Sequence, residues 1–166
     1  RIHCAEYTAR RFPFIMICVW TDGSHIKGTT TRGIGIYMEW DQKTAEYSAP
    51  VEAADDSSNP TLELLAAVTA VEWLLKYPEK LGDSDGVCIF SDYDGVSKYA
   101  NGDWCAARAK KNTGWFRTMA LKWESVVEQL RNLCHVEVKW VKGHGTDEGN
   151  KKADRLAKSG RTRNTI

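Results

Sequence analysis

Ile15-Met16-Ile17-Cys18-Val19-Trp20-Thr21-Asp22 is the stretch that decides the fold. Its apolar, partly β-branched run from Ile15 to Trp20 suits a central strand buried on both faces. It ends in a hydroxyl residue followed by an aspartate, and Ile89-Phe90-Ser91-Asp92 ends the same way. If the two strands lie adjacent and parallel, their carboxyl ends place Asp22 and Asp92 side by side. Ligand sites of open α/β sheets lie at that edge. Either aspartate alone would serve equally well as a cap or turn residue. Two unpaired carboxylates side by side repel each other, and a bound cation relieves the repulsion.

Working outward, residues 1–13 are mixed and basic and read as a lead-in segment. The glycine- and threonine-rich stretch Gly23 to Gly33 reads as a loop. Gly35 to Trp40 and Thr44 to Val51 read as strands joined by a turn at Asp41-Gln42-Lys43, an antiparallel meander with one wet face. Ser58-Asn59-Pro60 signals a helix start, with Asn59 as N-cap and Pro60 at the first helical position. Leu62, Leu65, Ala66, Thr69 and Trp73 recur at helical spacing, so this helix is predicted to run to about Tyr77, where Pro78 stops it. Val87 to Ser91 reads as a second buried strand, followed by a helix over Tyr93 to Ala100. Residues 101–118 lack periodicity. Met119 to Leu130 reads as a helix, Val136, Val138 and Trp140 alternate as a strand, and Asp147 to Ser159 closes the chain as a helix. This order predicts one α/β layer with a mixed sheet, its first and fourth strands parallel through a right-handed crossover.

The chain has 166 residues, enough for one domain with a full core. Hydrophobic residues make up 42% and charged residues 27%, which argues against a disordered chain. The longest apolar run, Phe12 to Trp20, contains Pro13 and is too short to span a bilayer, so no membrane is expected. Five cysteines form no Cys-x-x-Cys pair, which disfavours a zinc finger or disulfide framework. Cys18 and Cys88 read as buried thiols, and the compartment as intracellular. The first residue is Arg1, consistent with a domain cut from a longer protein or a processed chain.

Three further features carry chemistry. Glu63 lies in the first turn of the Pro60 helix, on a stripe whose neighbours Ala67 and Ala70 are small enough for close approach to the sheet. In the segment Trp140 to Asp154, Gly143 and Gly145 flank His144 and give its imidazole a mobile loop. Asn150 and Asp154 stand one helical turn apart on a shared face.

Taken together, Thr21-Asp22-Gly23-Ser24, Asn59-Pro60-Thr61-Leu62-Glu63-Leu64-Leu65-Ala66-Ala67, Ser91-Asp92 and the run from Lys142-Gly143-His144 to Ala153-Asp154-Arg155-Leu156-Ala157 resemble a type 1 ribonuclease H catalytic domain. The resemblance spans about Cys18 to Gly160. Each motif is weak alone; four in order make a specific signal. It implies the ribonuclease H-like α/β fold, a five-stranded mixed sheet with helices on both faces, with the catalytic domain at 14–160 and a basic tail at 161–166. It also implies that Asp22, Glu63, Asp92 and Asp154 bind metal and that His144 assists proton movement and product departure.

The implied activity is hydrolysis of the RNA strand of an RNA/DNA hybrid, leaving 5′-phosphate and 3′-hydroxyl ends. Two divalent ions about 3.5–4 Å apart serve such a reaction by activating water and holding the leaving oxygen. Four acids without a cysteine ligand favour Mg²⁺, with Mn²⁺ as substitute, over zinc. Choosing the RNA strand requires reading its 2′-hydroxyl; Gly23 and Ser24 through their backbone, and Asn59 and Glu63 through their side chains, are the candidates, and Asn150 is placed with the substrate-binding set. No protein partner is implied.

Between Lys98 and Lys122, six basic residues stand against Asp103 alone, with Trp104 and Trp115 interleaved. Basic residues neutralise phosphates, and flat aromatics lie against sugars or bases. Lys110-Lys111-Asn112-Thr113-Gly114-Trp115 resembles the family's basic protrusion. Departures from the family pattern are Gly28 in place of an asparagine, Pro60 in place of a polar residue that touches the hybrid, and Lys151 in place of an acid. The alternatives are the ribonuclease H domain of a reverse transcriptase and a non-catalytic hybrid-binding module of the same fold. The net charge of +1 conceals an asymmetry: residues 39–63 hold seven acids against Lys43 alone, while residues 139–166 hold eight bases against three acids. An acidic centre flanked by basic stretches is a nucleic-acid signal.

Overall fold

A computed structural model describes residues 15–52, 58–82, 84–109 and 114–162. The lead-in segment 1–13 and the end of the basic tail lie outside them. Five strands form one sheet: β1 (Met16–His25), β2 (Arg32–Trp40), β3 (Lys43–Pro50), β4 (Gly86–Ser91) and β5 (Val136–Trp140). Their spatial order is β3-β2-β1-β4-β5. The β1–β2 and β2–β3 pairs are antiparallel, and the β1–β4 and β4–β5 pairs are parallel. The helices are α1 (Asn59–Lys76), α2 (Glu79–Gly82), α3 (Asp94–Ala100), α4 (Gly114–Arg131) and α5 (Glu148–Thr162), with a 3-10 turn at Ala106–Arg108.

Alternation along β1 sorts the core into two layers. Ile17 and Val19 face a cluster with Leu64, Val68, Trp123 and Leu130 from α1 and α4. Met16, Cys18 and Trp20 face the other side, with Phe90 of β4 and Ala153 and Leu156 of α5. The Trp20 ring stacks on Phe90 at 5.0 Å between centroids. The central strands are thus covered by helices on both faces, as a parallel sheet segment requires. Cys88, at the middle of β4, is fully buried, and burial pushes its thiol up to about 12. Cys18 is disulfide-bonded, which corrects the expectation of a thiol there.

Several expected boundaries shift. β1 does not stop at Asp22: Gly23, Ser24 and His25 continue the ladder opposite Ile34, Gly33 and Arg32, so only Ile26 to Thr31 form a turn. β2 is buried on both faces over Arg32 to Met38, and the wet face belongs to β3. The β2–β3 turn has two residues, Asp41 and Gln42, both with positive φ (42° and 64°), the pattern of a type I′ hairpin. Ser58, not Asn59, is the N-cap of α1; its Oγ lies 3.2 Å from Thr61 Oγ1. α4 begins at Gly114 rather than Met119. α5 continues to Thr162, so the first part of the expected tail is helical.

Two glycines on β2 explain how α5 lies against the sheet. A side chain at Gly35 would run into the backbone of Ala153 and Ala157, and one at Gly33 would meet Arg161 N at 2.7 Å. Their absence of a Cβ lets the helix backbone approach the strand directly.

Candidate active site

The parallel β1–β4 ladder ends at the pair Trp20–Phe90, and each aspartate follows two residues later. Asp22 therefore lies within β1, opposite Gly35, while Asp92 sits just past the end of β4. The expected juxtaposition holds although β1 runs on. By alternation Asp22 shares the side of Trp20, which α5 covers, and α5 carries Asp154. Glu63 arrives from the opposite layer. A Cβ at Gly23 would stand 2.6 Å from Leu62 Cβ and 2.9 Å from Glu63 N, so the bare backbone of Gly23 is what lets the first turn of α1 settle beside Asp22.

Asp22, Glu63 and Asp92 each offer a carboxylate oxygen within 4.8 Å of the others. Asp22 and Glu63 are buried, and Glu63 Oε2 has no hydrogen-bond partner. Burial, reinforced by Asp92 and Asp154, pushes Asp22 up to about 7, against a partly offsetting hydrogen bond from Glu63. Burial and the neighbouring Asp22 hold Glu63 well above the usual carboxylate range. Asp92 is raised chiefly by burial, while its hydrogen bond with Asn150 lowers it. Carboxylates gathered in this way favour protons or a cation over free negative charge. An all-oxygen donor set with an unsatisfied buried oxygen fits a hard divalent cation.

The surroundings fix Asp92. The Trp140 indole Nε1–H donates to the Asp92 carbonyl oxygen at 3.0 Å, and Asn150 Nδ2 donates to Asp92 Oδ2 at 3.4 Å. Asn150 is itself set by the start of α5, where Asp147 Oδ1 accepts its backbone N–H at 2.8 Å, an N-cap bond. His144 adopts φ 54°, the left-handed region that side chains seldom enter.

Nine of the expected residues line one cavity of about 420 Å³: Asp22, Gly23, Ser24, Asn59, Glu63, Asp92, His144, Asn150 and Asp154. Asp154 holds Lys158 Nζ at 2.8 Å. The cavity also takes in His25, Lys158 and Arg161, which the sequence reading left out, and Lys151, which it named only as a departure from the family pattern. Lys151 and Lys158 stand at helical spacing from Asp154 inside the expected helix, a signal available in the sequence, whereas Arg161 lies past that helix's expected end.

Two expected substrate residues are placed elsewhere. Trp104 is exposed, edge-on to Tyr99 at 5.4 Å with Lys98 Nζ 4.6 Å from its ring centroid, and lines a separate cavity with Tyr93, Arg108 and Phe116. Trp115 is half-buried against the cluster of Ile34, Val51, Leu62 and Ala66, where it seals the α1–α4 seam. Lys110 and Lys111 lie outside the described residues.

The fold and site define an α/β domain built around a buried cluster of carboxylates at the carboxyl ends of its central strands. A family model described as RNase H matches residues 16–162, and the chain belongs to the RNase H family. It is 30% identical to the ribonuclease H of Maricaulis maris (strain MCS10) over 154 residues, 87% of this chain and 92% of that protein. The ribonuclease H of Hyphomonas neptunium (strain ATCC 15444) is also 30% identical, over 87% of this chain and 91% of its own. Among solved structures, LC11-RNase H1 in complex with RNA/DNA hybrid shares the fold with a TM-score of 0.68 at 20% identity, covering 89% of this chain and 97% of that one. RNase H1 from Halobacterium salinarum NRC-1 gives 0.65 at 17%, covering 89% and 98%. No helix among the described residues is long and apolar enough to cross a membrane.

Proposed function

We propose that this chain is an endonuclease that hydrolyses the RNA strand of RNA/DNA hybrids and leaves 5′-phosphate and 3′-hydroxyl ends. The catalytic domain spans 14–160, and an intracellular setting belongs to the same proposal. The observation that carries the reading is the buried trio Asp22, Glu63 and Asp92, its oxygens within 4.8 Å and one of them unpartnered. These three, with Asp154 on the cavity wall, would hold two Mg²⁺ ions, or Mn²⁺ in their place. Bound divalent ions supply an acidified water and charge compensation for the departing oxygen.

The protein's own residues prepare that chemistry. Asn150 and Trp140 hold Asp92 from the side chain and the backbone respectively. The strained His144 backbone presents the imidazole at the cavity mouth, where it accepts or delivers a proton as product leaves. Gly23 and Ser24 offer backbone groups to the 2′-hydroxyl, with Asn59 beside them. Backbone recognition of this kind is indifferent to base sequence. Trp104, Lys110, Lys111 and Trp115 belong to the proposal as contributors to grip on the DNA strand, Trp115 through its placement of α4.

Labelled RNA/DNA hybrid, duplex DNA and duplex RNA, each incubated with and without Mg²⁺, test the reading. Cleavage is expected for the hybrid alone and only with the ion. Asp92→Asn is expected to lower turnover by about 10³-fold or more while leaving the circular-dichroism spectrum intact, since the charge stabilisation lost is several kcal/mol. Full activity in that variant, or equal cleavage without metal, rejects the assignment.

A further inference from the structure

Beyond the carboxylates the cavity turns cationic. Lys151, Asp154, Lys158 and Arg161 follow one another at three- and four-residue steps, so they form a single stripe on α5, and all four line the cavity. Each lysine has a carboxylate partner on the same helix: Lys151 Nζ lies 3.3 Å from Glu148 Oε1, and Lys158 Nζ 2.8 Å from Asp154 Oδ2. Arg161 has no such partner among the described residues, and its Nε is buried without an acceptor. A guanidinium is permanently charged and carries five N–H donors in a rigid fork suited to phosphate oxygens. With no carboxylate partner among the described residues, the charge that Arg161 brings to the cavity wall is left for a ligand to compensate.

The position of Arg161 says which phosphate. Gly33 abuts its backbone and pairs with Ser24, so Arg161 stands by the end of β1, next to Ser24 and His25 in the cavity wall. Seven residues separate it from Asp154, about 10 Å along the helix. A phosphate at Arg161 is therefore not the one at the carboxylates. It lies about 10 Å further along α5, with Gly23 and Ser24 between.

We propose that Arg161 is a second backbone anchor, holding a phosphodiester of the strand being cut at a distance from the reacting one. The proposal rests on the nuclease reading above. It is tested by hybrid binding in metal-free buffer, followed by fluorescence anisotropy as KCl is varied, for the unmodified chain, Arg161→Ala and Arg161→Lys. Arg161→Ala is expected to bind roughly five- to tenfold more weakly, with the salt slope smaller by about one phosphate's worth. Arg161→Lys should recover part of the affinity, because the point charge remains and the fork does not. Neutral methylphosphonates walked along the RNA strand should reveal a position that weakens binding to the unmodified chain but not to Arg161→Ala.

Thermal melting separates this role from a purely structural one. An arginine in a last helical turn also complements the helix dipole, and a variant that melts earlier yet binds with an unchanged salt slope overturns the anchor. If the unmodified chain binds hybrid no better than duplex DNA, the nuclease reading falls as well. If it binds hybrid and Arg161→Ala matches it, the anchor alone falls.

Discussion

Asp22 shows how one side chain couples the fold to its chemistry. Its pKa is raised from 3.8 to about 7, first by burial and then by Asp92 and Asp154. Between those two values the folded chain holds a proton that the unfolded chain has released. The resulting stability is fully present below the unfolded value and is lost as pH rises through the folded one. Asp22→Asn removes the titration while keeping the shape. In metal-free buffer at pH 8 the variant is therefore expected to be more stable by ~1–3 kcal/mol, a melting-temperature gain of several degrees, with the difference closing near pH 4. A gap independent of pH would show that burial of this charge is not its origin. Asp22 and Asp92 were legible in the sequence because two apolar runs end in the same hydroxyl–aspartate pair. Arg161 was not, because a basic residue near a chain end reads as a tail until the helix beneath it is seen to reach Thr162.

At the scale of elements, the site depends on how closely helices approach strands. Gly23 is the seat of α1. Gly23→Ala would press a methyl group against Leu62 and the Glu63 backbone, at a cost of about 1–3 kcal/mol. The first turn of α1 must then lift away from β1, carrying Glu63 from Asp22. Cleavage is expected to fall by about a hundredfold, the scale of a 1 Å misplacement. The same variant should need more Mg²⁺ for half-maximal rate, and activity unchanged under metal titration would contradict the argument. Apolar periodicity made β1, β4 and α1 readable. It failed where partners rather than local pattern decide structure. Gly23-Ser24-His25 resembles a loop, yet β2 supplies its ladder. Gly114 to Thr118 lacks a clean stripe, yet Trp115 and Phe116 anchor that turn against α1 and the core. The asparagine before Pro60 is a good cap by type, but the chain places Ser58 there.

Over the whole molecule, a balance of 23 basic and 22 acidic residues says little until it is mapped. Four of the acids, Asp22, Glu63, Asp92 and Asp154, meet in one cavity with Lys151, Lys158 and Arg161 beside them, so a cation bound in it would act on every element that meets there: β1, β4, α1 and α5. Ligand binding to the folded state alone raises stability by RT ln(1 + [L]/Kd), about 2.7 kcal/mol at a hundredfold excess over Kd. Mg²⁺ should therefore raise the melting temperature of the entire domain at pH 8. At pH 5 the rise should shrink, because Asp22 then holds a proton that a cation must displace. An equal rise at both pH values would mean that the ion binds elsewhere. Cys88 gives the same cooperative unit an internal clock. Its thiol sits at the centre of β4 with its ionisation pushed up to about 12, out of reach of alkylating reagents while the sheet is closed. Each labelled Cys88 thus records one opening that uncovers β4, and counting them over time measures how long the centre of the sheet stays shut.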